Sequence, residues 1–257
     1  MVKALADIAN SSEKLVKLNP NDIVVDIGSN DGTLLQQYKS KNIIRVGFEP
    51  SDLWNTGNNN NMEIIHNYFN KEDFHKRFPN RKAKIITTIA MFYDLEDPNR
   101  FVEDIKSCLD SDGIWVIQMN YLGLMLENNT FDNISHEHLE YYSLDALEYL
   151  LKKHEFSIGD VKLNDVNGGS FRVYIKHQSS QIRFPKEAKA RVDAQRKYES
   201  GAGFNNLAVY QEFSKRISNI KGELLEFLDK EAKKRQGDLY LWCFDKGACS
   251  TTIRGHR

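Results

Sequence analysis

Cysteine is scarce in this chain: Cys108, Cys243 and Cys249 are the only three in 257 residues. None forms a C-x-x-C pair, so neither a zinc cluster nor a disulfide framework is predicted, and no metal is assigned. Long apolar runs are lacking too, and nothing approaches the roughly 20 residues that a membrane-spanning helix requires. Charge of one sign is not in excess, with 35 Lys and Arg against 36 Asp and Glu. That balance gives no general attraction to nucleic acid or to an anionic membrane, so neither is an expected partner and a small polar ligand fits better. The first 20 residues carry mixed charge at helical spacing rather than a basic head and an apolar stretch, so no signal peptide is expected and the predicted compartment is the cytoplasm. There are no internal repeats, and the asparagine run at 58–61 reads as an exposed turn. Nothing in the sequence specifies an oligomeric state.

What is present is an alternation of short β-branched runs with helical stretches, which predicts an α/β fold built on a parallel sheet. Strands are expected at Ile23–Ile27, Ile43–Phe48, Met62–His66, Lys84–Ile89 and Gly113–Met119. Helices are expected at Gly32–Lys39, Lys71–Phe78 and Asn99–Asp110, the last closing on the turn Asp110-Ser111-Asp112-Gly113. Phe156–Leu163 and Ser170–His177 flank Asn164–Gly169, a run suited to a hairpin turn. Five strands followed by an antiparallel hairpin is the order of a class I, Rossmann-like methyltransferase sheet. Residues 179–236 are charged and helical, with a break at Ala202-Gly203 and apolar residues at helical spacing over Leu207–Lys234. They read as a helical arm after a domain at 1–178.

The segment Asp26-Ile27-Gly28-Ser29-Asn30-Asp31-Gly32 is a buried strand running into a glycine-bearing turn that opens a helix. A dinucleotide site wants G-x-G-x-x-G, to seat a pyrophosphate on exposed amides. Here the middle glycine is missing and Asp26 and Asp31 make the loop acidic, which suits a ligand carrying an ammonium and a sulfonium: S-adenosylmethionine (SAM). Glu49, with Pro50 after the second strand, is placed to accept hydrogen bonds from ribose hydroxyls. Tyr68 and Phe69 could cover adenine, although core packing explains them as well. Ala90 and Met91 end the fourth strand and would pass under the methionine half. An ordinary strand-to-helix turn is the competing reading of Asp26–Gly32.

After the fifth strand, His136-Glu137-His138-Leu139-Glu140-Tyr141-Tyr142 concentrates proton-moving groups at the carboxyl edge of the sheet, where open α/β folds bind substrates. Histidine titrates nearest neutrality and is the natural general base. Three other readings stand beside catalysis. The segment can be a solvated loop whose Ser143 caps the next helix. H-x-H can chelate a metal, though no third ligand is evident. His136 can simply hold the loop.

The runs DIGSNDGTLL, GFEPS, MFYDLEDP, FDNISHEHLEYYSL and NGGSFRV, in this order, resemble the C-methyltransferase family that includes the nucleotide-linked deoxysugar C-3 methyltransferases of antibiotic pathways. The resemblance spans about residues 1 to 240. It implies a dTDP-linked 4-keto sugar as substrate, His138 as the base that forms an enolate, Glu137 fixing the substrate, and His136 or Tyr142 assisting. The sequence departs from some relatives in having Ser135 where they carry tyrosine before HEH, and Met91-Phe92-Tyr93 where they carry a histidine. Full-length relatives also begin with a zinc-binding module and end with a further α/β domain. By that resemblance, the expectation is that the first is lacking here, with most of the second.

Those relatives have a motif like GASTKGN-x-x-LQ near Trp242. Read one base later, codons permitted for Trp242–Gly247 allow Gly-Ala-Ser-Thr-Lys-Gly, and those for Ala248–Ile253 allow His-Val-Val-Leu-Gln-Tyr. The expectation is a frameshift near Leu241, which would make 237–257 a remnant with an out-of-frame tail. A SAM-binding fragment without turnover and an O- or N-methyltransferase on another small molecule are the alternative functions. A nicotinamide oxidoreductase is the outsider.

Overall fold

The computed structural model describes residues 2–56, 62–234, 239–242 and 250–253. The expected turn at 58–61 and the cysteines at 243 and 249 lie outside them. Seven strands form one sheet: β1 Ile23–Ile27, β2 Ile44–Phe48, β3 Met62–Ile65, β4 Ala83–Ile89, β5 Leu109–Asn120, β6 Phe156–Asn164 and β7 Ser170–His177. Their spatial order is β3-β2-β1-β4-β5-β7-β6. The first five run parallel, and β7 enters antiparallel to both β5 and β6. This is the α/β sheet with closing hairpin expected from the alternation. Every residue of β1 is buried, as a central parallel strand covered on both faces requires.

The helices are α1 Val2–Leu15, α2 Thr33–Gln36, α3 Lys71–Arg77, α4 Pro98–Cys108, α5 Leu122–Asn128, α6 Leu144–Lys153, α7 Lys186–Ala202 and α8 Leu207–Lys234. Two start as their caps dictate: the Asn70 side chain accepts from Asp73 N for α3, and Asp97 accepts from Arg100 N ahead of Pro98 for α4. Helix α2 is far shorter than the expected Gly32–Lys39. The amides of Lys39 and Ser40 donate instead to the Glu13 carboxylate on α1, at 3.1 and 2.8 Å. That tertiary bond draws the chain out of the helix.

The turn expected at Asp110–Gly113 is replaced by strand, because β5 already begins at Leu109. Ala83 pairs with Leu109 and Ile85 with Ile114, so the residues between bulge out of register. Asp112 N donates to Asp110 Oδ1 at 2.9 Å, which shapes the bulge.

The chain divides into two compact units at Gly203/Phe204. The first therefore reaches past the expected limit at 178 and includes α7. The reason is a set of part-buried ionic contacts: Arg191 binds Asp160 of β6 through two bonds of 2.8 and 2.7 Å, and Arg196 binds Glu148 of α6. Glu199 accepts from the first amides of α6, Leu144 N and Asp145 N, at 2.6 and 2.9 Å, and from the Tyr121 hydroxyl at 2.7 Å. A carboxylate at a helix N-terminus is favoured by both hydrogen bonding and the helix dipole. The second unit contains α8 and an antiparallel pair, β8 Leu239–Trp242 with β9 Ser250–Ile253. No described helix is long and apolar enough to cross a membrane.

Candidate active site

The site is built where the strand order reverses, between β1 and β4, the position at which open α/β sheets leave a crevice. At the end of β1 the backbone turns sharply, with Gly28 at φ 73°, Asn30 at 49° and Gly32 at 74°. The amides of Gly28 and Ser29 both donate to Phe48 O, the last residue of β2, at 2.9 and 3.1 Å. The loop is thus stapled to the strand end that carries Glu49. Gly47 makes the approach possible, because a Cβ there would lie 2.4 Å from Ser29 Oγ and 2.8 Å from Ile64 Cδ1. Sequence reasoning gave Gly47 no role, although a glycine inside a strand signals close approach of another segment.

Asp26 is 4 % exposed and accepts the Thr87 hydroxyl at 2.6 Å. Burial pushes its carboxyl up to about 7, the Thr87 bond pulls it down, and the Glu49 charge pushes it up again. Glu49 is also buried. One of its oxygens accepts Asn30 N at 2.8 Å, and the other accepts Ser51 N and Oγ at 2.9 and 2.6 Å. An ionised carboxylate oxygen has two acceptor positions, so one hydroxyl can bind directly and a second requires the Ser51 hydroxyl to turn away. Ser29 Oγ is buried without a partner.

Other expected cofactor residues divide. Asp31 accepts Thr33 N at 3.0 Å, a local bond across the turn that leads into α2. Pro50 is exposed, and its carbonyl takes the His66 ring nitrogen at 2.9 Å. Tyr68 is 77 % exposed. Phe69 packs between Phe48 and Phe101, with ring centroids at 5.0 and 5.5 Å, which is the core role left open for it. Ala90 takes a left-handed φ of 54°, uncommon for a residue with a side chain. Its amide donates to Gln118 O at 2.8 Å, and Met91 Cγ lies 3.7 Å from where a Gly28 side chain would begin.

The His-Glu-His segment is a loop between a 3-10 turn at Phe131–Asn133 and α6. Ser143 does cap α6, accepting Ala146 N at 3.1 Å. His136 and Glu137 are exposed, whereas His138 is half-buried. His138 Nδ1 lies 2.7 Å from Asn133 O. A carbonyl only accepts, so Nδ1 carries a proton, and in the neutral ring this leaves the lone pair on Nε2, the tautomer a general base needs. Asn133 is held in turn by Asn120 Nδ2, which donates to its side-chain oxygen at 2.5 Å from the end of β5. Tyr142 is buried against Phe92, and burial followed by the Glu140 charge holds its hydroxyl well above the usual phenol range.

The segment just after β4 joins the two halves. Met91 borders Gly28, while two residues on Tyr93 sits against His138 with ring centroids 4.4 Å apart. The Tyr93 carbonyl accepts Leu139 N and Glu140 N, both at 3.1 Å. The cofactor-type loop and the histidine are therefore positioned by one short turn.

A methyltransferase-domain family model matches residues 4–160, more than half of the chain. The chain belongs to the methyltransferase family. A second model, the C-methyltransferase C-terminal domain, matches residues 165–240. The C-methyltransferase NovU of Streptomyces niveus is 27% identical over 216 residues, covering 83% of this chain and 50% of NovU. The chain thus spans about half the length of that relative. Among solved structures, a Haloferax volcanii methyltransferase in complex with the Trm112 activator shares the fold at TM-score 0.51 and 14% identity, over 68% of this chain and 93% of that one. The plantazolicin methyltransferase BpumL, solved with SAH and a pentazolic desmethylPZN analog, aligns at TM-score 0.51 and 14% identity, over 68% of this chain and 83% of its own.

Proposed function

We propose that the chain is a SAM-dependent C-methyltransferase acting on a nucleotide-linked keto sugar, with His138 as general base. The observation that supports this reading is the turn after β4, in which Met91 borders Gly28 and Tyr93, two residues on, packs against the His138 ring. The residues present fit SAM: a left-handed, side-chain-free backbone at Gly28, and the buried carboxylates Asp26 and Glu49, whose charge suits a cationic ligand. When bound, SAM supplies a methyl group made electrophilic by its sulfonium. Asp26, Gly28, Ser29, Asn30 and Glu49 would hold it, with Met91 beneath.

The chain's own residues handle one proton. A carbon beside a ketone is acidic enough for an imidazole to deprotonate, and an unactivated sugar carbon is not. His138 Nε2 takes that proton, and the C–H electron pair moves toward the keto oxygen. Glu137, exposed on the same loop, is available to bind sugar hydroxyls.

Solvent-deuterium exchange at the α carbon, screened across dTDP-linked keto sugars, tests the reading. Exchange that depends on His138 supports it. SAM binding with no exchange on any keto sugar would contradict it and leave a cofactor-binding module or an O- or N-methyltransferase. For the tail, our proposal is a frame change near Leu241, supported by a C-terminal-domain match that stops at residue 240. A gene whose shifted frame meets a stop within a few codons overturns that.

A further inference from the structure

We propose that Tyr93 is a second catalytic residue, its phenol donating a hydrogen bond to the substrate oxygen that gains charge as His138 removes the proton. This inference rests on the proposed enolate chemistry and supplies the partner that chemistry lacks. A base alone leaves the developing oxyanion without a donor from the protein, and a preorganised donor stabilises that charge.

The neighbourhood of His138 offers few donors. The Tyr141 hydroxyl is turned to Asn133 O at 3.4 Å. The Tyr142 hydroxyl is shut off from solvent, its ring packed against Phe92. His136 is exposed and makes no contact with His138 among those described. Tyr93 differs on each count. Its ring lies against the imidazole at 4.4 Å between centroids, and its main chain is pinned to the base-bearing loop by the amides of Leu139 and Glu140. The residue is 7 % exposed, yet no described residue accepts from its hydroxyl. Burial, then the charges of Asp94 and Glu137, hold that hydroxyl up to about 12, so it is a neutral donor throughout the working pH range.

In this step the α C–H bond breaks, its proton passes to His138 Nε2, and its electron pair delocalises onto the keto oxygen. Tyr93 keeps its proton and shares it with that oxygen. Reversal with solvent-derived deuterium on His138 returns labelled substrate, so nothing else is consumed.

The test measures solvent-deuterium exchange into dTDP-linked keto sugars for wild type, Tyr93→Phe and His138→Ala, together with calorimetric SAH affinity. Phenylalanine keeps the ring against His138 and removes only the hydroxyl. The expected result is exchange slowed about 10²–10³-fold in Tyr93→Phe, with SAH affinity unchanged. The base-dependent limb of the pH profile should stay in place. Exchange within threefold of wild type in Tyr93→Phe overturns the Tyr93 role while leaving His138 intact. Undiminished exchange in His138→Ala overturns the base assignment. No exchange by wild type on any keto sugar overturns the proposed function and the Tyr93 role with it.

Discussion

The two halves of the site are made differently. Around Gly28 the structure is almost entirely main chain: strand-end amides clamp to Phe48 O, glycine and asparagine take left-handed conformations, and the carboxylates behind them are buried. Around His138 the functional groups are side chains on a loop whose apolar members Phe131, Ile134 and Leu139 are exposed, and whose order comes from distant partners such as Tyr93, Asn120 and Glu199. The first half is a fixed cradle. The second is an assembly that depends on the whole sheet edge being in place.

That contrast can be broken at several points. The largest effect is expected at the assembled half, where His138→Ala should reduce α-proton exchange by about 10²–10⁴-fold while leaving SAH affinity within twofold. Equal exchange in the variant would move the base elsewhere. In the cradle, Gly47→Ala drives a methyl into Ser29 and Ile64. It should destabilise the fold by about 1–3 kcal/mol and weaken SAH binding at least tenfold. Calorimetry finding both properties unchanged would mean that the strand end yields easily.

A third effect is electrostatic. Asp26 titrates near 7 in the fold against 3.8 as a free side chain. Well below pH 3.8 both states are protonated. As pH rises from 4 to 7 the unfolded chain ionises first, so this group removes stability over that window. A cationic ligand favours the ionised form, so SAM affinity should climb as pH rises through about 7. Thr87→Val deletes the hydrogen bond that lowers Asp26, worth about 1–2 kcal/mol, and should carry the midpoint up by roughly one pH unit. Affinity that is flat from pH 6 to 8 would show that Asp26 does not respond to the ligand. The smallest effect belongs to Tyr68→Ala. With Tyr68 standing 77 % exposed, SAH affinity should change less than twofold, and a larger loss would mean that Tyr68 folds over the adenine.

The sequence exposed the cradle better than the assembly for the same physical reason. Glycine, asparagine and acid at fixed spacing after a β-branched run announce a backbone conformation, and the loop at 26–32, Glu49 and the sheet order could be read from them. Asp31 shows how residue type alone leaves a role open, since an acid in this turn can accept a local amide, as it does from Thr33 N, or face a ligand. Phe69 illustrates the limit of composition, since an aromatic at a strand end serves core or cofactor equally well. The tautomer of His138 depends on Asn133 O, and the place of Tyr93 depends on β4 lying beside β5. Neither contact is local in sequence. The inclusion of α7 in the first unit likewise rests on Arg191, Arg196 and Glu199 finding Asp160, Glu148 and the start of α6, pairings that charge pattern alone does not assign.

The most direct test of the account is the ¹⁵N spectrum of the His138 imidazole, recorded with and without saturating SAH at a pH where the ring is neutral. The account predicts a protonated Nδ1 and a bare Nε2 in both spectra, with the Nε2 resonance moving when SAH binds. A proton on Nε2, or a resonance indifferent to SAH, would contradict it.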